Sequence, residues 1–287
     1  MLLWQIILYT LGSFAFFSLL SMGFGFTLRS VKFFNLAYGG AFLVGGYLMF
    51  LFYRVLNFPL ILSFLLSIFS SGLYLSLSYK FIFSSFLRRK TKNLVPLIAS
   101  FGLLTATSAI LGMIFGNQTT LIPRRLSDVG VVNIFGATLN TVEVAIIIAF
   151  LILTIIFAYI RSKTRFGRMM RAMEDDGEVA ELVGIPRDKT FLKIFFISGA
   201  FAGLGGIATG FDVGIIPASG LLYMLPTIVI AIVGGMQSFW GGILGAFILA
   251  LAQQLTIFFF GGDWVSAVPF VILIITLLIR SEGILKR

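Results

Sequence analysis

Side chains that could bind or relay an ion are scarce in the long apolar stretches of this sequence. Glu143 lies near one end of such a stretch, and Asp212 and Asp263 lie at the edges of two others. The 287 residues include no histidine and no cysteine, which removes the commonest general base, the commonest metal ligand and thiolate chemistry. Energy coupling through a titrating group is therefore disfavoured, while Na⁺ binding by backbone carbonyls stays open.

The polar side chains that remain inside these stretches are mostly neutral. Asn35 and Ser238 each stand beside a cluster of glycines, and Gln253 and Gln254 follow in a later apolar stretch. Small residues next to a polar group indicate either close packing of helices or a broken helix that lines a path. Both interpretations stay open for these positions.

A polar segment over residues 164–187, TRFGRMMRAMEDDGEVAELVGIPR, combines charged and apolar residues. The pattern predicts a short helix over 178–183, with acids near its start and with Gly184 and Pro186 at its end. Three residues would form its apolar face: Val179, Leu182 and Val183. Such a helix either lies on a membrane surface or inserts into a groove of another protein, and the residues alone favour neither.

The apolar stretches indicate the fold that holds these residues. The sequence is 59% hydrophobic and 11% charged, whereas soluble domains carry roughly 25% charged residues. Since about 20 apolar residues make one membrane crossing, we predict an all-α polytopic membrane protein. It has about nine transmembrane helices (eight to ten) in a single domain over residues 1–287. The predicted helices are 4–28, 33–53, 58–79, 94–115, 141–160, 192–211, 221–236, 239–260 and 264–280.

The distribution of lysine and arginine predicts the orientation of these helices. With the N-terminus outside and the C-terminus in the cytoplasm, 18 of the 21 basic residues lie in inside loops. The three outside are Arg54, Arg124 and Arg125. This bias also accounts for the formal net charge of +10, so we expect no nucleic-acid binding. The long outside loop 116–140 is either a connector or a docking or lid element.

Several groups of residues match the pattern of one transporter family in order and spacing. Residues 23–28 and 35–39 are similar to its GFTL…NFAHG segment, and 98–111 to its IAxxGL segment. Residues 233–245 are similar to GGxGSxxGAxxGG, and 279–285 to a closing RPxGL. The polar segment matches TxxGRxxRA…EDxxxAxxLGI at Thr164, Gly167, Arg168, Arg171, Ala172, Asp175, Asp176, Glu178, Ala180, Leu182, Gly184 and Ile185. Over most of its length the chain thus resembles the Liv-type permeases, membrane subunits of ABC importers for branched-chain amino acids and related small solutes.

The resemblance implies that the loop at about 161–191 sits in a groove of a separate cytoplasmic ATPase subunit. It assigns that contact to Arg168, Arg171, Asp175, Asp176, Glu178, Ala180, Leu182 and Gly184. The chain contains no GxxxxGK[ST] phosphate loop, so ATP and Mg²⁺ are expected on the partner and no cofactor on this chain. The other implied partners are a second permease, identical or paralogous, an external solute-binding protein and the lipid bilayer of the cell membrane.

Three positions depart from the family pattern. Tyr38 replaces a histidine, Gly177 a proline of the loop, and Gln253 a glutamate. Tyr38 and Gln253 fall where a path would lie, so both join Asn35, Ser238 and Gln254 as candidate path residues. Contact between helices is the alternative interpretation for both.

The function predicted is that of a permease subunit, not an enzyme. A branched-chain amino acid is the first expectation for its solute, and another amino acid, urea or a short amide competes with it. The alternative function is an ion-coupled secondary transporter or channel for a small solute.

Overall fold

The structure, a computed structural model, describes residues 2–89, 91–123, 130–134, 137–236 and 238–279, and these are mostly helical. Seven of the described helices are long and apolar enough to cross a membrane. They are Trp4–Val31, Ala37–Val55, Leu60–Arg88, Leu94–Phe115, Thr141–Lys163, Arg187–Asp212 and Phe239–Phe260. Two shorter apolar helices are Ser219–Gly234 and Val268–Ile279. Each predicted segment coincides with one of these helices, which confirms a helical polytopic membrane protein.

The helices are numbered here in chain order. They are α1 Leu2–Val31, α2 Ala37–Met49, α3 Leu60–Ser78, α4 Ser84–Arg88, α5 Leu94–Phe115, α6 Thr141–Lys163, α7 Arg165–Asp175, α8 Gly177–Leu182, α9 Arg187–Asp212, α10 Ser219–Gly234, α11 Phe239–Phe260 and α12 Val268–Ile279. A π-helical turn, Phe50–Val55, extends α2, and a second, Tyr79–Phe83, joins α3 to α4. The third crossing thus runs on to Arg88 instead of ending at 79, because Lys80 ends the charge-free stretch without interrupting the helical backbone.

The centre of the bundle is formed by α9, which packs closely on α1, α2 and α3. Small residues permit this approach: a Cβ on Gly46 would lie 2.7 Å from the carbonyl oxygen of Gly206 on α9. The buried Ser71 hydroxyl of α3 lies 2.7 Å from the carbonyl oxygen of Ala41 and 2.6 Å from that of Gly199. The Ser71 side chain therefore connects α3 to both α2 and α9.

The chain leaves the helical conformation between α1 and α2. Lys32 has a φ of 56°, and its N–H still donates to the Leu28 carbonyl at 2.9 Å. The next backbone groups are satisfied by side chains: Asn35 Oδ1 accepts from the Ala37 N–H at 3.2 Å, and Ser100 Oγ from the Leu36 N–H at 3.0 Å. The predicted helix 33–53 therefore begins at Ala37.

The segment predicted as an outside loop contains a short antiparallel hairpin, β1 Val131–Ile134 with β2 Ala137–Asn140. Its last residue caps α6, since Asn140 Oδ1 accepts from the Val142 N–H and Glu143 Oε2 from the Asn140 N–H. Four-residue strands carry too little pattern to be predicted from sequence. We call this end of the bundle the hairpin end, and the end that carries α7 and α8 the loop end.

Candidate functional site

The loop between α6 and α9 is folded into two short helices with defined caps. Thr164 Oγ1 accepts from the Gly167 N–H at 3.1 Å and starts α7. Asp176 Oδ1 accepts from the N–H groups of Glu178 and Val179 at 2.9 and 3.2 Å and starts α8. Gly184, with a φ of +89°, ends α8 in the left-handed conformation that favours glycine. The predicted helix 178–183 is thus confirmed as α8, while α7 was not predicted.

The apolar face of helix α8 is exposed and points away from the rest of the protein. Leu182 is 85% exposed, Val183 72% and Val179 54%. Ala180, by contrast, is buried and holds α8 on the protein. Apolar side chains on a loop that carries many charges indicate a surface for another molecule.

The eight residues predicted to contact an ATPase do not share one environment. Arg168, Asp175, Asp176, Glu178, Leu182 and Gly184 are exposed, Arg171 is half-buried and Ala180 is buried. Asp176 and Gly184 serve the caps of α8 described above. The exposed residues are therefore placed to touch a partner, and Ala180 supports them from beneath.

Sequence reasoning missed Glu174, whose carboxylate is the buried centre of the loop. Arg161 donates to both of its oxygens, at 2.9 and 2.6 Å, and Arg29 Nε donates to Oε1 at 3.3 Å. The Glu174 side chain is 3% exposed, and those of Arg29 and Arg161 are 5% and 15% exposed. No sequence spacing signals this cluster, because its members lie on α1, α6 and α7, up to 145 residues apart.

The same cluster reaches the beginning of α11. The guanidinium groups of Arg29 and Arg161 lie 5.8 and 5.7 Å from the centroid of the Phe239 ring. Arg29 Nη1 lies 3.5 Å from the Ser238 carbonyl, and Ser238 Oγ caps α11 by accepting from the Gly241 N–H at 3.1 Å. We call Arg29, Arg161, Glu174 and Phe239 the loop-end cluster. It joins the loop to α1, α6 and α11.

The five predicted path residues are not brought together. Asn35 and Tyr38 are buried at the start of α2, where the Tyr38 hydroxyl donates to the Leu20 carbonyl at 2.9 Å. Ser238 lies at the loop end, and Gln253 lies about 22 Å further along the axis of α11. Gln254 donates to Ser13 on α1 at 3.3 Å, which is a contact between helices.

The space beside Tyr38 is closed in this conformation. A narrow gap between α1, α2 and α10, bordered by Tyr38 and Phe42, is too small to hold a water molecule. Asn35 Nδ2 is buried nearby and finds no hydrogen-bond partner among the residues that the structure describes. An unsatisfied buried amide carries a cost, so a hydrogen bond to another partner would stabilise this group.

Comparison with known protein families identifies the family of this chain. Residues 6–277 match the family model described as the branched-chain amino acid transport system, permease component. The chain belongs to this family of permeases. The match runs from the first to the last of the described apolar helices and includes the loop, so the permease is a multi-pass protein of the cell membrane and a transport component, not an enzyme.

Individual relatives agree with this assignment. The permease is 27% identical to the high-affinity branched-chain amino acid transport system permease protein LivH of Salmonella typhimurium, over 97% of this chain and 93% of the relative. It is 25% identical to the corresponding protein BraD of Pseudomonas aeruginosa, over 94% and 92% of the two chains. The fold is similar to a solved structure of PsaBC from Streptococcus pneumoniae in complex with Fab, with a TM-score of 0.51, 11% identity and coverage of 95% and 91%.

Proposed function

We propose that this chain is the membrane-spanning subunit of an ABC importer and carries branched-chain amino acids or related small solutes. The observation that carries the proposal is the exposed apolar face of α8, held on a loop whose buried centre contacts α1, α6 and α11. A rigid loop with an apolar tip can receive a displacement from a bound protein and pass it to the helices. Family membership supports the class of solute.

The energy source in this proposal is a separate cytoplasmic ATPase subunit, which holds ATP and Mg²⁺, while this chain binds no cofactor. Two ATPase subunits act on two permeases, identical or paralogous, and an external binding protein delivers the solute. Exposed Leu182 and Val183 would enter a groove of the ATPase, as an amphipathic helix does in many protein complexes. Solute then passes as the bundle alternates its access between the two sides.

The proposed topology has nine crossings, with the N-terminus outside and the loop end in the cytoplasm. Helix α10 supports this count. Its beginning follows Ile215, which pairs with Thr120 near the hairpin end, and its last residues lead to Ser238 at the loop end. Its 16 residues rise about 24 Å, somewhat less than the ~30 Å hydrocarbon core.

The experiment that tests the coupling proposal is the substitution Leu182→Asp. The chain is expressed with its ATPase subunit and binding protein, and assembly and solute uptake are measured. We expect the ATPase to bind at least about tenfold more weakly, because an apolar anchor is lost from the interface. The permease itself should unfold at an unchanged temperature, since Leu182 is 85% exposed.

The matched control is Leu56→Asp, an exposed leucine just after the π-helical turn Phe50–Val55, away from α8. This variant should retain the ATPase. Normal assembly and uptake of Leu182→Asp would show that α8 is not the contact. Uptake by the purified chain alone, driven by an ion gradient, would instead establish the secondary transporter.

A further inference from the structure

A large cleft opens between α3 and α6 at the hairpin end of the bundle. Its volume is about 810 Å³, which is within the range of about 300–1,000 Å³ typical of ligand sites. Helix α3 packs on α9 while α6 packs mainly on α1, and the cleft lies between the two pairs. Ile61 and Leu65 in its wall are exposed, so it opens on the lateral surface that lipid surrounds.

The lining of the cleft is apolar along nearly its whole length. Side chains of five helices, α1, α2, α3, α6 and α9, contribute to it, among them Phe16, Ile61, Leu65, Ile146, Ala208 and Phe211. The polar groups are confined to the hairpin end, where Asn57 and Thr141 belong to the lining. The cleft thus has an apolar body and a small polar rim, the arrangement that suits a ligand with a long hydrocarbon part and a polar head.

Arg54 is the one charged residue among the described residues that line the cleft. It belongs to the π-helical turn that ends α2, a conformation often found at functional sites. Its Nη1 atom is buried and has no hydrogen-bond partner in the described part of the chain. A buried guanidinium N–H without an acceptor is costly, and an anionic oxygen would satisfy it with a charge-assisted hydrogen bond.

We propose that this cleft binds a phospholipid with an anionic headgroup. Its acyl chain lies between α3 and α6, and its phosphate accepts hydrogen bonds from Arg54. Arg54 stands in the last turn of a membrane-spanning helix, at the level of headgroups, where arginine meets lipid phosphate.

The chemistry of the lining selects this occupant over an amino acid or a zwitterionic lipid. No acidic side chain belongs to the described lining, so the ammonium group of an amino acid, ethanolamine or choline would find no counter-charge there. The neutral Asn57 and Thr141 on the rim can instead hydrogen-bond the hydroxyl groups of a glycerol head. The site is therefore distinct from the loop-end cluster and from the proposed path of the solute.

The test uses the purified full chain in nanodiscs made of equal parts phosphatidylglycerol and phosphatidylcholine. Native mass spectrometry counts the lipids that each variant retains. We expect the unaltered chain to retain phosphatidylglycerol about tenfold better than phosphatidylcholine, and Arg54→Gln to remove that preference, because one charge-assisted contact is lost. The control Arg89→Gln, at an exposed arginine after α4, should keep the preference.

A second variant tests the acyl chain separately from the headgroup. Ala145→Phe places a ring in the wall of the cleft and should lower the retention of both lipids. An unchanged preference in Arg54→Gln would overturn the proposal, and so would unchanged retention in Ala145→Phe. Leucine binding that competes with the retained lipid and disappears in Arg54→Gln would also overturn it, by assigning the cleft to the solute.

Discussion

At the scale of single residues, Glu174 shows how a buried charge is held in a loop that also carries many exposed charges. Its carboxylate receives hydrogen bonds from Arg161 at both oxygens and from Arg29 at one. Burial of an ion is costly unless it is paired and hydrogen-bonded, and both conditions are met here. Because the two arginines belong to α1 and α6, this one carboxylate fixes the position of the loop relative to the membrane helices.

The first residue-scale prediction concerns Glu174→Gln. The substitution removes the carboxylate charge that two largely buried guanidinium groups share, so the free energy of unfolding should fall by about 3 kcal/mol. A lower Tm in detergent would measure the loss. Glu178→Gln is the control, because Glu178 is exposed on α8 and exposed substitutions usually change stability by less than about 0.5 kcal/mol. Equal Tm changes in the two variants would contradict the structural role of the loop-end cluster.

At the scale of elements, contact between α2 and α9 depends on the absence of side chains. Gly46 faces the Gly206 carbonyl, and Gly45 faces Gly203 on the same pair of helices. In a bilayer, helices gain little from the hydrophobic effect against each other, since lipid is equally apolar, and close packing contributes more. These glycines therefore determine how near α9 lies to the centre of the bundle.

The element-scale prediction compares two glycine-to-alanine substitutions. Gly46→Ala would place a Cβ 2.7 Å from the Gly206 carbonyl oxygen, so α2 and α9 must separate and stability should fall by about 1–3 kcal/mol. Gly102→Ala on α5 would place a Cβ with no neighbour within 4 Å, so it should be neutral or slightly stabilising. Thermal unfolding of both variants in detergent distinguishes them. A stable Gly46→Ala would show that the two helices can move apart without loss.

At the scale of the whole molecule, the two ends of the bundle have different characters. The loop end carries the charged loop and the loop-end cluster, and the hairpin end carries the strands, Arg54 and the cleft. In the proposed orientation the first faces an ATPase in the cytoplasm and the second faces the solute-binding protein. A permease in this orientation would accept solute at the hairpin end and be driven by the ATPase at the loop end.

The whole-molecule prediction concerns this topology. The chain contains no cysteine, so each introduced cysteine is its sole thiol. Ala218→Cys and Asp263→Cys should react with a membrane-impermeant maleimide in intact cells, whereas Ser162→Cys and Met236→Cys should react only after the cells are opened. All four positions are exposed. Reaction of Met236→Cys from outside would mean that α10 does not cross the membrane.

The sequence alone was enough to predict a membrane protein and the positions of its apolar helices. Uncharged stretches of about 20 residues have one stable environment, and their backbone groups must pair within the segment, so position along the chain is enough to predict helices. The polar segment 164–187 likewise predicted α8, because its caps and apolar face are local features. These properties depend on neighbours in sequence.

Which of these residues contact one another depends on the tertiary structure. Glu174 pairs with Arg29, 145 positions away, and Ser238 lies beside that pair at the loop end. Arg54 belongs to a cleft lined by residues of five helices. Such contacts depend on the order and rotation of helices around the bundle. Apolar surfaces that face lipid and apolar surfaces that face other helices have the same composition, so the sequence pattern does not fix that rotation.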